Sequence, residues 1–266
     1  MFERLSFERR DGLALVGLNR PSKLNAFDEQ MFTDIVKVQK LIRKDKLLRA
    51  VIIYGKGNDF SSGLDIKSVM SNQMAMLRIF LKITPWHSNL AQEVSVGWRK
   101  LSIPVIMAIH GRCWGAGMQL ALGGDFRFIH PKSSLAIMES RWGLIPDMGG
   151  SLALREIMGI EKAMEYTMTS REIKAAEALE SGLVSRVVDE PLQEALNFAK
   201  QIAEKSPDSV AATKRLYQYA WHHNDRALLA REWILQWRML LGKNRTIAIQ
   251  KAMGKGEGRA YQPRAL

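Results

Sequence analysis

The segment AIHGRCWGAGMQLALGGDFRF, residues 108–128, is the part of the sequence that decides the fold. It continues a β-branched run, IPVIMAIHG, into a turn that contains Gly115 and Gly117, and then into an apolar stretch of helical character. A glycine turn that leads from a strand into a helix presents backbone N–H groups to an electron-rich partner. The first polar side chain behind the turn is Gln119, whose amide neither takes up nor releases a proton near neutral pH.

The same arrangement occurs earlier in the chain. RAVIIYGKG (49–57) is a β-branched run ended by glycine, which is typical of a buried strand, and a second glycine turn at Gly63 follows it. DFRFIH and SSLAIM predict two more short strands, and residues 28–44 have largely helical apolar spacing. From Asp147 onward the pattern is mostly helical, and residues 207–251 predict consecutive helices. The sequence therefore predicts an α/β fold with an all-helical C-terminal section.

Composition indicates an ordinary globular protein. The 266 residues are 47% hydrophobic and 25% charged, no apolar run is long enough to span a membrane, and the N-terminal MFERLSFERR lacks the apolar core of a signal peptide. The single cysteine, Cys113, excludes an internal disulfide and favours a reducing compartment, so we expect the cytoplasm. A net charge of +12 is compatible with nucleic acid, an anionic membrane or a phosphate-bearing substrate.

Several well-known site motifs are excluded. GAGMQL lacks the third glycine of a dinucleotide-binding turn, and GKGNDFSSG lacks the spacing and the lysine of a P-loop. No G-x-S-x-G sequence is present. The His222–His223 pair has no ordered set of ligand partners, so no metal site is expected. Cys113, next to Trp114, is expected in the core rather than as a nucleophile.

Three segments carry the chemistry: FSSGLDI (60–66), WGAGMQLALGGD (114–125) and MESRWGLIPDMGG (138–150). If the first two turns converge, their N–H groups form an oxyanion hole. The third segment contributes Glu139 and Asp147, and a carboxyl in apolar surroundings has the raised pKa that suits proton transfer near neutral pH. The structural alternatives are a buried structural role for Glu139 and an N-cap role for Asp147.

Together with LNRPSKLNAF (18–27), GLVSRVVD (182–189) and SPDSVAATK (Ser206–Lys214), these segments resemble the crotonase superfamily, the enoyl-CoA hydratases and isomerases, over nearly the whole chain. The resemblance implies a crotonase-like spiral of repeated ββα units over residues 1–200. It also implies an α-helical C-terminal trimerisation region over residues 201–266, with trimers or hexamers as the assembly. The substrate would be an acyl-CoA thioester, and no separate cofactor is needed because coenzyme A is part of the substrate.

The resemblance also assigns site residues. The enolate oxygen of the substrate would lie between the backbone N–H groups of Leu64 and Ala116. Lys251 would reach a phosphate, often across a subunit boundary, although both lysines of the set could equally be solvated surface cations. The residues expected to contact coenzyme A are Lys23, Leu24, Ala26, Ser62, Asp65, Ile66 and Lys251.

One departure from the family pattern bears on the reaction. The hydratases use two glutamates; one falls on Glu139, but the other falls on Gln119, which can orient a water molecule and cannot act as a base. Double-bond isomerisation is therefore favoured, with Glu139 acting alone or with Asp147, which lies where dienoyl-CoA isomerases place an aspartate. Hydration by a water molecule that Gln119 positions is the alternative.

Two further alternatives remain open. Lys37, Lys40 and Lys44 fall on one face of the first predicted helix, and a known RNA-binding homologue of the hydratases has a lysine comb on the corresponding helix. RNA binding is thus an alternative or additional activity, and a non-catalytic acyl-CoA-binding protein is the other. The length of the acyl chain depends on how residues 67–101 fold over the site, which the sequence does not disclose.

Overall fold

The computed structural model describes residues 2–82, 84, 86–255 and 258–266, and for Met70 the backbone alone. Within these ranges, no helix is both long enough and apolar enough to cross a membrane. The strands are β1 (Leu5–Arg10), β2 (Leu13–Leu18), β3 (Ala50–Gly55), β4 (Val105–Ile109), β5 (Arg112–Trp114), β6 (Phe126–Ile129), β7 (Ser134–Ala136), β8 (Ile173–Lys174) and β9 (Arg186–Val187). The α-helices are α1 (Glu29–Lys44), α2 (Ile66–Met70), α3 (Gln73–Phe80), α4 (Leu90–Arg99), α5 (Ala116–Leu122), α6 (Gly150–Ile157), α7 (Ile160–Thr169), α8 (Ala175–Glu180), α9 (Pro191–Ala203), α10 (Pro207–Ala220), α11 (Asp225–Leu240) and α12 (Lys243–Ala252).

Two sheets organise the described part of the chain. The larger has the strand order β1-β2-β3-β4-β6-β9, and the smaller has the order β5-β7-β8. The β1–β2 hairpin is antiparallel, whereas β2, β3, β4, β6 and β9 pair in parallel. The chain passes from β4 to β5 and α5, and again from β6 to β7, so a strand of the large sheet is followed by one of the small sheet. This confirms the predicted α/β class and its repeated strand pairs.

The large sheet is covered on both faces, as a parallel sheet requires. Along β3, Val51 and Ile53 face one core cluster, which also contains residues from α1, α4 and α5. Ala50 and Ile52 point the opposite way, into a second cluster that α9 completes. The continuous apolar run of β3 follows from this burial on both faces, because successive side chains of a strand alternate between them.

The helical C-terminal section begins with α10. The predicted boundary between residues 200 and 201 falls inside α9, which packs on the large sheet and ends at Ala203. Beyond it, buried Asp208 on α10 accepts hydrogen bonds from Asn244 Nδ2 at 2.8 Å and from the Ala265 N–H at 2.6 Å. Asp208 therefore joins α10 to α12 and to the last residues of the chain.

Lys214 attaches α10 to the sheet. Its side chain is 7% exposed, and Nζ donates to Asp125 Oδ2 at 2.7 Å and to the carbonyl oxygens of Ile103 and Trp98 at 3.0 and 3.3 Å. Burial lowers the pKa of this ammonium group, and the charge and hydrogen bond of Asp125 oppose that shift. Three acceptors around one buried cation satisfy all of its donors. The lysine that closes the SPDSVAATK segment is thus a structural anchor.

We expect Lys214→Met to lower the free energy of unfolding by about 3 kcal/mol, because it leaves the Asp125 carboxylate without its cation. The loss lies at the lower end of the usual range, since Asp125 Oδ2 keeps a 2.8 Å hydrogen bond from the Val105 N–H. Urea unfolding measures the difference. Lys200→Met, on the exposed side of α9, is the matched control, and equal stability of the two variants would contradict the anchoring role.

Candidate active site

Asn25 holds the first loop of the site in place. Its Nδ2 donates to the carbonyl oxygens of Lys56 and Asp59 at 2.9 and 2.8 Å, and its Oδ1 accepts from the Arg20 N–H at 2.8 Å. Its own carbonyl accepts from Ser61 Oγ at 2.9 Å. Asn25 is completely buried and has a left-handed backbone with φ 53°, which asparagine tolerates better than most residues. This connection was not predicted from the sequence.

The first glycine turn follows directly. Gly63 has φ 100°, and the backbone on either side of it pairs with Phe27: the Phe27 N–H donates to Gly63 O at 2.8 Å, and the Asp65 N–H donates to Phe27 O at 3.0 Å. The Leu64 N–H lies between these bonds. Within the described residues it donates to no protein acceptor. The turn thus leaves one backbone donor available.

The second glycine turn begins α5. Gly115 has φ 48° and donates its N–H to Ala136 O at 2.9 Å. Ala116 is the first helical residue and keeps a negative φ, so its side chain causes no backbone strain. A Cβ added to Gly117 would lie 2.6 Å from Ser61 Cβ, so only glycine allows α5 to approach the first loop this closely.

The two turns touch each other. Ser61 and Cys113 form a parallel bridge, in which the Trp114 N–H donates to Ser61 O at 3.0 Å. A Cβ added to Gly63 would lie 3.0 Å from Trp114 O and 3.6 Å from Ala116 N. Like that of Leu64, the Ala116 N–H donates to no acceptor among the described residues. Two free N–H groups on adjoining turns are what the predicted oxyanion hole requires.

Gln119 lies in the second turn of α5 and is 1% exposed. Its Nε2 donates to Glu139 Oε1 at 2.6 Å. Its Oε1 accepts from the backbone N–H groups of Met148 and Gly150, at 3.0 and 3.3 Å. The three residues predicted to be catalytic are therefore brought together, because Gln119 contacts both Glu139 and the turn that contains Asp147.

Glu139 is a buried acid, and one of its oxygens has no hydrogen-bond partner in the part of the chain that the structure describes. Glu139 is the first residue of a short 3-10 helix. This helix lies beside the second glycine turn, because a Cβ added to Gly115 would lie 3.7 Å from the Cβ of Met138, the residue before Glu139. Burial raises the pKa of Glu139, the charge of Asp147 raises it further, and the hydrogen bond from Gln119 opposes both. Oε2 is buried and has no hydrogen-bond partner among the described residues. Such an oxygen is a strong proton acceptor.

Asp147 is half-buried beside this acid. Burial raises its pKa, against the opposing effect of its own backbone N–H, and its charge acts on Glu139. The alternative role as N-cap of α6 does not apply, because the N-cap is Gly149 and no side chain caps that helix. From the sequence alone, the start of α6 could not be located closely enough to tell whether residue 147 or residue 149 is its N-cap.

Most of the residues predicted to contact coenzyme A line one groove of about 460 Å³. Leu24 and Ser62 are not among its lining residues, but each lies next in sequence or close to one of them, and the Ser62 N–H donates to Leu24 O at 2.9 Å. Two residues of the lining, Lys67 and Trp142, were not predicted; Trp142 follows Glu139 by three positions and is 58% exposed. The groove is lined by Lys23, Ala26, Leu64, Asp65, Ile66, Lys67 and Trp142.

Asp65 is fixed at the edge of this groove. Its Oδ2 accepts from Arg20 Nη1 at 2.7 Å, and its Oδ1 accepts from the Ser68 N–H at 3.2 Å, which caps α2. Burial alone would raise the pKa of Asp65, but these hydrogen bonds and the charges of Arg20 and Lys23 lower it. Asp65 is therefore an anion at neutral pH, and Arg20 is a positioning residue that the sequence did not indicate.

Lys251 does not line the groove of Lys23. It borders a separate cavity of about 680 Å³ among α10, α11 and α12, where its Nζ is 4.8 Å from the ring centroid of Tyr261. One chain alone does not bring Lys251 to the groove of Lys23. A contact across a subunit boundary stays a prediction.

Other sequence expectations can be compared with the structure. Cys113 is fully buried, and burial raises the pKa of its thiol, which agrees with a core residue. Lys37, Lys40 and Lys44 are exposed on the outer side of α1, so RNA binding stays a prediction. No cluster of three or more potential metal-binding side chains occurs within the ranges that the structure describes.

Comparison with known proteins shows which proteins this chain resembles. The enoyl-CoA hydratase/isomerase family model matches residues 8–244. The mitochondrial Delta(3,5)-Delta(2,4)-dienoyl-CoA isomerase of Mus musculus is 33% identical over 251 residues, which cover 90% of this chain and 76% of that protein. Carnitinyl-CoA dehydratase of Escherichia coli strain K12 is 33% identical over 221 residues, covering 82% and 81%. The crystal structure of a probable enoyl-CoA hydratase/isomerase from Mycobacterium abscessus matches with a TM-score of 0.86 and 28% identity, covering 99% of this chain and 100% of that chain.

The raised pKa of Glu139 predicts a pH-dependent cost to stability. A carboxyl whose pKa is higher in the folded state contributes its full stability below its ordinary pKa of 4.5 and loses it as pH rises through the folded-state value. Glu139→Gln cannot ionise. We therefore expect the variant to gain stability over the wild type as pH rises from about 4 to about 8. The gain should be about 1.4 kcal/mol for each pH unit that separates the folded-state pKa from the ordinary one.

Urea unfolding at a series of pH values measures this difference. Glu161→Gln, on the exposed part of α7, is the control and should leave the curve close to that of the wild type. A difference between Glu139→Gln and the wild type that is constant with pH would contradict the raised pKa.

Proposed function

This chain belongs to the enoyl-CoA hydratase/isomerase family, and we propose that within it the protein shifts the double bond of an unsaturated acyl-CoA thioester. The observation that carries the proposal is the proximity of Glu139 to the turn that contains Asp147, which Gln119 bridges by hydrogen bonds to both. Both carboxyls have pKa values raised by burial, and Glu139 presents a buried oxygen without a partner among the described residues. A base and a neighbouring acid are the groups that a proton shift along a carbon chain needs.

The Leu64 and Ala116 N–H groups would bind the thioester oxygen of the substrate. Neither donates to another acceptor in the described part of the chain, and the turns that carry them are in contact. As negative charge develops on that oxygen, each donor would lower the barrier by about 2.7–4 kcal/mol. The thioester α-carbon then becomes acidic enough for a carboxylate to deprotonate it.

The proton transfer follows from the positions of the two acids. Glu139 Oε2 would take a proton from C2, next to the thioester carbonyl, and the C–H electron pair would pass to the thioester oxygen as the enolate forms. When the enolate collapses, protonated Asp147 would give its proton to a carbon further along the chain, and the double bond moves toward the thioester. Solvent then restores the two protonation states, since Asp147 is only half-buried.

The groove between Lys23 and Trp142 would hold the coenzyme A part of the substrate. Its lining combines apolar surface with two lysines, and Asp65 is held at its edge by Arg20. Lys23 and Lys67 are cations suited to phosphate groups, whereas Ala26, Leu64 and Ile66 suit the less polar arm of the carrier. No cofactor beyond the substrate's own coenzyme A is needed for this reaction.

Hydration is the second candidate, because a relative of equal identity is named a carnitinyl-CoA dehydratase. It would use the same hole and Glu139. It would also need a water molecule held by Gln119, whose Oε1 is already bound to two backbone N–H groups. Because Nε2 also donates one hydrogen to Glu139, the only group of the Gln119 amide left to contact water is its second N–H.

We expect the wild-type protein to convert 3-enoyl-CoA or 3,5-dienoyl-CoA thioesters in D₂O into products with a shifted double bond, one deuterium and no added water. Glu139→Gln should lower kcat/KM by about 10²–10⁴-fold, because it removes the base. Asp147→Asn should lower it less and reduce deuterium incorporation, since Glu139 must then return the proton that it removed. Mass spectrometry measures both, with Glu161→Gln as the control; a product that gains one water would contradict isomerisation.

The pH dependence of the reaction gives an independent check. Glu139 must be ionised to act as the base, so kcat/KM should fall as pH drops through its raised pKa. We therefore expect the acidic limb of the profile above pH 4.5, the ordinary value for this carboxyl. A limb at or below that value would contradict the role of a buried Glu139.

We also propose that α11 contributes to a homotrimer or hexamer. Its surface carries Trp233 and Trp237, which are 65% and 46% exposed, and Leu235 is its one buried residue; Leu241, directly after the helix, is 81% exposed. Monomeric proteins rarely leave so much apolar surface on one helix. Sedimentation equilibrium should give a multiple of three chains, and Trp233→Glu with Trp237→Glu should shift it toward the monomer; a monomeric wild type would contradict the proposal.

Two broader expectations accompany this function. We place the acyl-CoA site in the α/β part of the chain and assembly in the helical C-terminal section. The single, buried Cys113 agrees with the cytoplasm, although the mouse relative is named as mitochondrial. The compartment stays a prediction.

A further inference from the structure

We propose that Gln119 is a positioning residue that commits this site to proton transfer and against addition of water. Gln119 binds Oε1 of Glu139 and leaves Oε2 of Glu139 to react with the substrate. Because Gln119 is an amide, it does not provide a second base beside Glu139 that could deprotonate a water molecule. This inference rests on the proposed function, because it explains how the same site selects between the two candidate reactions.

The orientation of the Gln119 amide is fixed by its neighbours. Two backbone N–H groups, of Met148 and Gly150, point at Oε1 from 3.0 and 3.3 Å. Since a backbone N–H can only donate, the atom that it faces has to be the amide oxygen. The amide nitrogen is then necessarily directed at Glu139 Oε1, at 2.6 Å. The peptide backbone of one turn thus dictates which group Glu139 meets.

This contact divides the work between the two oxygens of Glu139. Oε1 accepts from Gln119, whereas Oε2 is buried and has no partner among the described residues. A carboxylate held at one oxygen keeps a fixed plane, so Oε2 points in one direction. Gln119 therefore selects Oε2 as the atom that takes the proton.

Gln119 also fixes the turn that contains Asp147. Its oxygen binds the N–H of the next residue, Met148, and that of Gly150 at the start of α6. The packing is tight, since a Cβ added to Gly150 would lie 3.2 Å from Gln119 Oε1. One side chain thus links Glu139 to the turn that contains Asp147.

Water activation is disfavoured by the same bonds. One N–H of the Gln119 amide remains, and it can only donate a hydrogen bond to a water molecule, which withdraws electron density from the water oxygen and removes no proton from it. Gln119 Oε1 already accepts two backbone hydrogen bonds, so it is not available to the protons of that water. Glu139 Oε2 would then be the nearby base for them. A glutamate at position 119 would keep an oxygen for the two backbone N–H groups and place a second carboxylate oxygen beside Glu139.

The test compares Gln119→Glu with Gln119→Met, which is similar in size and lacks the amide. In Gln119→Glu, two carboxylates about 2.6 Å apart cannot both ionise easily. The acidic limb of kcat/KM for isomerisation should therefore rise by about one pH unit or more, and above that limb a product with added water should appear. Deuterium incorporation through Asp147 should be retained, since the turn keeps its acceptor.

In Gln119→Met, the limb should also rise, because the hydrogen bond that opposes the raised pKa of Glu139 is lost. No water should be added, and deuterium incorporation should fall at least tenfold, because the Asp147 turn loses its acceptor. Gln39→Met is the matched control: Gln39 is equally buried and donates to the backbone of α4, but lies outside the site. It should lower stability without moving the limb or changing the product.

The outcomes separate this inference from the proposed function. If the wild type isomerises but both Gln119 variants keep its pH limb and its product, the positioning role is overturned and the function stands. If the wild type adds water as readily as Gln119→Glu, both are overturned. If the wild type does neither, a double-mutant cycle of unfolding free energies between Gln119→Met and Glu139→Gln, followed against pH, decides the positioning role: no pH-dependent coupling would overturn it.

Discussion

The site exists because two stretches of backbone approach each other more closely than side chains would allow. Beyond the ends of β3 and β4, the two segments of the chain run side by side and pair at the Ser61–Cys113 bridge. Glycines at positions 63, 115 and 117 permit this approach, because they have no Cβ to contact the opposite segment. Positive φ angles at Gly63 and Gly115 turn the following N–H groups out of the sheet's hydrogen bonding. The free donors are therefore a consequence of how the parallel strands end, and every later feature of the site is placed relative to them.

The same approach places a polar side chain where water has little access. All seven residues of α5 are buried, so Gln119 must satisfy its amide within the protein. It does so with two backbone donors and one carboxylate, whereas Glu139 is left with an oxygen unpaired among the described residues. An unpaired buried acceptor costs stability. Within the site, the Glu139 carboxyl bears that cost at Oε2, and such an oxygen is suited to accept a proton.

The sequence predicted the fold class, the two turns and the acids, because these depend on local patterns: β-branched runs, glycines and the setting of each carboxyl. It could not predict the contacts of Asn25 or Arg20, since those join residues 31 to 45 positions apart and have no periodic signature. The direction of the Gln119 amide was hidden for the same reason: it is set by the N–H groups of Met148 and Gly150, on a turn that only the fold brings close. Lys251 shows the opposite limit, because its predicted role depends on a neighbouring chain.

Family membership alone leaves the reaction open. Relatives named for dienoyl-CoA isomerisation and for carnitinyl-CoA dehydration are each 33% identical to this chain. Isomerisation and hydration both need a stabilised enolate, which depends on backbone N–H groups, so the glycine turns can be shared by enzymes of either kind. The reactions differ in where protons and water are accepted, and that depends on a few side chains. Under the proposed function, the decisive contact is a neutral amide whose oxygen already accepts two backbone hydrogen bonds, so the choice between the two reactions would follow from hydrogen-bond direction rather than from the fold.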